Sequence, residues 1–124
     1  MKNLPDGDQN VVIGSEAMLA QDSSASGLKD VVAIGYRAFY GTGAGTSDPD
    51  GTVAIGSLAL NALTEGIGNV AVGFEALRAN TDGDNSTAIG FQALTAQAGQ
   101  SGTVGNTAVG HGAAETITLS LIHI

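Results

Sequence analysis

Residues 69–77 read Asn69-Val-Ala-Val-Gly-Phe-Glu-Ala-Leu77, and the phrase returns in five other places along the chain. The other copies are Asn10-Val-Val-Ile-Gly14, Val31-Val-Ala-Ile-Gly35, Thr52-Val-Ala-Ile-Gly56, Ser86-Thr-Ala-Ile-Gly90 and Asn106-Thr-Ala-Val-Gly110. Three residues past the glycine every copy has alanine: Ala17, Ala38, Ala59, Ala76, Ala93 and Ala113. The next position holds Met18, Phe39, Leu60, Leu77, Leu94 and Ala114. Successive glycines lie 21, 21, 17, 17 and 20 residues apart, so the unit is constant and only its connector changes length. Recurrence at this period marks a stack of identical supersecondary units that bury their apolar faces on one another.

The periodicity within the unit says how each coil is built. Before the glycine, β-branched residues alternate (Val53 and Ile55, Val70 and Val72, Thr87 and Ile89), as a short strand requires. After it, apolar residues fall three apart (Tyr36 and Phe39, Phe74 and Leu77, Phe91 and Leu94), which predicts a short helical turn or a second tight segment. Gly14, Gly35, Gly56, Gly73, Gly90 and Gly110 are the expected corners between the two. The predicted fold is mainly β: a parallel solenoid of about six coils with strands about 4.8 Å apart. Residues 1–9 form a lead-in, 10–116 the six-repeat solenoid, and 117–124 either a closing strand or a tail derived from cloning or assembly.

Two columns are expected to fill the core: Ile13, Ile34, Ile55, Val72, Ile89 and Val109, and Met18, Phe39, Leu60, Leu77 and Leu94. A third, Tyr36, Phe74, Phe91 and His111, places rings at intervals suited to stacking. Opposite the isoleucines stand Ala33, Ala54, Ala71, Ala88 and Ala108, small enough for another chain to approach closely. They are the expected interface of a cyclic homo-oligomer.

Composition narrows the function classes. Among 124 residues, with 19 Gly and 19 Ala, there are five aromatics, no Trp and no Cys. Disulfides and thiolate metal sites are therefore absent from this chain, and a conventional large-residue core is not expected. The formal charge of −8 opposes nucleic-acid and anionic-lipid partners, and no apolar run is long enough to span a bilayer. His111 and His123 lack the Ser-Asp or Cys neighbours of an activated nucleophile, so no catalytic residue and no enzyme activity are expected. Paired carboxylates sit in turns, at Asp6-Gly-Asp8, Asp48-Pro-Asp50-Gly51 and Asp82-Gly-Asp84-Asn85, where turn chemistry explains them. Asp82, Asp84 and Asn85 are the calcium candidates if any cofactor binds, although no full 12-residue ligand loop is present.

The unit Asn-Thr/Val-Ala-Ile/Val-Gly-x-x-Ala resembles the head repeat of trimeric autotransporter adhesins, the YadA-like head. Its longer form with Ala-Leu resembles repeats of bacteriophage tail fibres. The resemblance covers roughly residues 10 to 116. It implies a left-handed parallel β-roll, a homotrimer projecting from a cell surface or virion, and attachment to a glycan, protein or lipopolysaccharide receptor. Leu60, Leu77 and Leu94 stand where the adhesin repeats carry small residues. Irregular connectors favour recognition by exposed loops, with Tyr40, Asp48, Asp50, Arg78 and Gln97 as contact candidates. The alternatives are a structural shaft or spacer without binding, or a monomeric scaffold such as an ice-binding solenoid. The column Val11, Val32, Val53, Val70, Thr87, Thr107 is not the threonine array that ice binding would require.

Overall fold

A computed structural model describes residues 9–19, 28–41, 49–98 and 102–116. Six three-residue strands, β1 (Val11–Ile13), β2 (Val32–Ile34), β3 (Val53–Ile55), β4 (Val70–Val72), β6 (Thr87–Ile89) and β8 (Thr107–Val109), form one parallel sheet in the order β1-β2-β3-β4-β6-β8. A second parallel pair joins β5 (Gly83–Asp84) to β7 (Gly102–Thr103). Register is strict: Ala33 pairs with Ala54, Ala54 with Ala71, Ala71 with Ala88 and Ala88 with Ala108. The molecule is a parallel β-solenoid. Its coils are numbered here 1 to 6 after their glycines, Gly14 to Gly110. The backbone runs around the coil without a break only over 49–98, so fewer complete turns are described than the six repeats predict.

The segment after each glycine is not helical, and no described residue belongs to a helix. The second and fourth residues past the glycine take positive φ instead: Arg37 (50°) and Phe39 (49°), Glu75 (56°) and Leu77 (51°), Gln92 (54°) and Leu94 (51°). The N–H groups of these two residues turn toward opposite neighbours, while the one between them bonds within its own coil, Ala76 N donating to Gly73 O at 3.4 Å. Leu77 N donates to Ala93 O of the next coil at 3.0 Å, and Glu75 N donates to Ser57 O of the preceding one at 3.0 Å. A helical turn would have kept these groups within its own coil. The stacked geometry satisfies them between coils, in a second ladder on the limb opposite the strands.

The interior reverses two of the sequence expectations, the alanine column as interface and the Ile and Val column as core. Ala33, Ala54, Ala71, Ala88 and Ala108 are fully buried within the single chain, so they are core and not an oligomer interface. The column Ile13, Ile34, Ile55, Val72, Ile89 and Val109 points outward. Ile13 and Val109 are 58% exposed, Ile89 40%, and Ile34, Ile55 and Val72 are half-buried. The cause is the thinness of the coil. Phe39, Leu60, Leu77 and Leu94 reach in from the opposite limb and are fully buried, with Met18 nearly so, leaving room for only a methyl group on the strand side. Ala38, Ala59, Ala76 and Ala93 complete the filling. In coil 1 the inward strand residue is Val12, which packs partly buried against this cluster.

The glycines form a column of their own, with φ between +128° and +137°. A Cβ on Gly35 would lie 2.7 Å from the carbonyl of Gly56, and one on Gly73 would collide with the carbonyl oxygen of Gly90. The corners from Gly14 to Gly90 thus each seat the backbone of the next coil, and a side chain would force the two apart.

Candidate functional site

The position before each strand holds Asn10, Val31, Thr52, Asn69, Ser86 or Asn106, and here the coils are fastened by side chains. Asn69 Nδ2 donates to Gly83 O at 2.7 Å, and its Oδ1 accepts from Ser86 N at 2.9 Å. Asn10 repeats the arrangement one end of the stack away, donating to Leu28 O at 2.7 Å and accepting from Val31 N at 2.9 Å. Thr52 interrupts the series, and its Oγ1 is buried without a hydrogen-bond partner. Gln97 belongs to the same interior. It is fully buried, donates to Ser86 Oγ at 3.0 Å and accepts from Asn106 Nδ2 at 2.7 Å. It is therefore unavailable as a contact residue. Sequence reasoning missed this polar column, whose signal was the Asn at a fixed distance before the glycine.

The acidic turns perform a related task. Asp84 Oδ1 accepts from Ile67 N at 2.9 Å, and Asp50 Oδ1 accepts from Lys29 N at 2.8 Å, each reaching back to the equivalent residue of the preceding coil. Asp82 Oδ1 lies 3.4 Å from Thr64 Oγ1, and Asn85 sits at φ 57° with its N–H donated to Ile67 O. Asp82, Asp84 and Asn85 thus serve turn geometry. Among the described residues no group of three His, Cys, Asp or Glu side chains converges to hold a metal ion. Asp48 and residues 117–124 lie outside the described residues, as does all but the last residue of the 1–9 lead-in.

The outer corner just past the glycines carries the exposed aromatic chemistry. Phe74 and Phe91 stack with centroids 5.2 Å apart and planes 19° from parallel, and Phe91 stacks on His111 at 5.1 Å and 6°. In coil 2, the Arg37 guanidinium lies 5.3 Å from the Tyr36 ring centroid and 5.0 Å from that of Tyr40. Its Nε donates to Glu16 Oε2 at 2.6 Å. That hydrogen bond raises the Arg37 pKa above its ordinary value, so the group stays cationic at any working pH. Arg78, half-exposed, pairs with Glu75 at 3.3 Å. Of the contact candidates, Tyr40 and Asp50 are partly exposed and Arg78 is exposed. They occupy different turns of the solenoid and do not converge on one pocket.

Scanning the chain against protein-family models, the curated proteins and the solved structures returned no match in any of the three.

Proposed function

We propose that this chain is a non-enzymatic structural and attachment module of a surface adhesin or phage tail fibre, working outside the cell as a homotrimer. The observation that carries the reading is the outer face of the six-stranded sheet. Two columns run along it, one all Ile and Val and one Val changing to Thr, with Val11, Ile13 and Val109 of the edge strands 44%, 58% and 58% exposed, Ile89 40%, and the residues of the central strands half-buried. A sheet of parallel strands is ordinarily covered on both faces, and a contiguous apolar strip on a chain of charge −8 is a surface made for association. Straight columns at a constant spacing suit copies of the same chain aligned along a shared axis, since each coil then meets its own equivalent. The connectors and the aromatic corner remain outside for recognition. Ile55 lies at the middle of the strip, so Ile55→Asp places a carboxylate in the association surface and not in the coil interior. Its mass by light scattering is expected to fall to that of one chain while its circular dichroism stays that of the wild type. An assembly unchanged by this substitution would remove the face from the interface.

A further inference from the structure

The first position past the glycine reads Ser15, Tyr36, Ser57, Phe74, Phe91, His111 down the stack. From Phe74 onward it is a continuous pile of rings, at 5.2 and 5.1 Å. At Ser57 the pile has a missing rung. The backbone does not skip there: Leu58 N donates to Tyr36 O at 2.9 Å and Glu75 N donates to Ser57 O at 3.0 Å, so coils 2, 3 and 4 follow one another at the regular spacing. Tyr36 and Phe74 are therefore two coil spacings apart, about 10 Å, with a serine between them. One ring placed above Ser57 would lie about as far from each neighbour as the rungs of the pile lie from one another. The Arg37 guanidinium, 5.3 Å from the Tyr36 ring centroid, is bonded to Glu16 of coil 1.

We propose that the gap at Ser57, between Tyr36 and Phe74, receives an aromatic side chain from a partner polypeptide that carries basic residues beside it. The stacking geometry of the chain's own rungs defines the ring, and the net charge of −8 favours a partner of opposite sign, the Arg37 cation beside Tyr36 being already paired with Glu16. Tyr36 and Phe74 are both exposed, at 46% and 40%, so the walls of the gap are accessible within a single chain. The inference goes beyond the proposed attachment role.

The test uses the capped tripeptide Lys-Trp-Lys. The protein contains no Trp, so all indole emission belongs to the probe. Titration with the wild-type chain is expected to give a saturable change in emission, and the indole proton resonances should move upfield between two rings. Ser57→Phe supplies the missing rung and should weaken binding at least tenfold. Circular dichroism and light-scattering mass of the same samples report separately on folding and on assembly. Absence of saturable binding to the wild type, indole resonances that do not shift, or equal affinity for a folded Ser57→Phe variant would each overturn the proposal. If Ser57→Phe does not fold, the indole shifts with the wild type decide alone.

Discussion

At the scale of single residues, stability rests on positions that tolerate only one kind of side chain. Gly73 and Gly110 separate two causes, because they share the same backbone angle but not the same neighbour. A Cβ on Gly110 meets nothing nearer than 4.0 Å, whereas one on Gly73 runs into the carbonyl of Gly90. Gly110→Ala should cost about 1 to 3 kcal/mol through backbone strain alone. Gly73→Ala should cost a further 1 to 3 kcal/mol or so through overpacking, a difference that urea denaturation of the two variants would show. The interior polar column gives a second pair. Thr52→Val removes a buried hydroxyl with no partner and should stabilise the fold by about 1 kcal/mol. Asn69→Ala should destabilise it by about 1 to 3 kcal/mol, since Ser86 N loses its acceptor, while Asn80 Nδ2 still serves Gly83 O at 2.9 Å. Thermal unfolding of both variants checks the opposite signs.

At the scale of the coil, the strand, the glycine corner and the inward Leu column were legible in the sequence because each leaves a periodic mark. The limb after the corner was not. Apolar residues three apart suit a helical turn, yet with alternating positive φ at Arg37 and Phe39, or Gln92 and Leu94, only the second of each pair is buried and the first, Tyr36 or Phe91, stands exposed at the corner. What decides between them is hydrogen bonding to neighbouring coils, which a single repeat cannot display. Gln92→Gly discriminates the two. In a helix it would cost about 1 kcal/mol. In the left-handed site it should be neutral or stabilising by up to about 1 kcal/mol, as Gly112 at the equivalent position of coil 6 suggests. The inversion of the strand faces has a related origin. Alternation separates Ala71 from Val70 and Val72 but does not say which side is inside, and the rule that larger residues go inward fails when the opposite limb already fills a thin coil. The turn carboxylates were legible in their ordinary role: Asp50 and Asp84 cap backbone N–H groups of the preceding coil.

At the scale of the whole molecule, the reversed faces change where the proposed assembly would form. Ala71→Asp would bury a charge inside the coil and should unfold the protein, not merely separate subunits, with loss of the cooperative thermal transition as the readout. In the proposed trimer, association falls instead to the outer Val and Ile columns, which the single chain leaves exposed or half-buried. The most direct test is the absolute mass of the wild-type chain in solution, by light scattering on a sizing column. The account predicts three times the 12.2 kDa of one chain. A mass of 12.2 kDa across the accessible concentration range would contradict it, leaving a solitary solenoid with an uncovered apolar sheet.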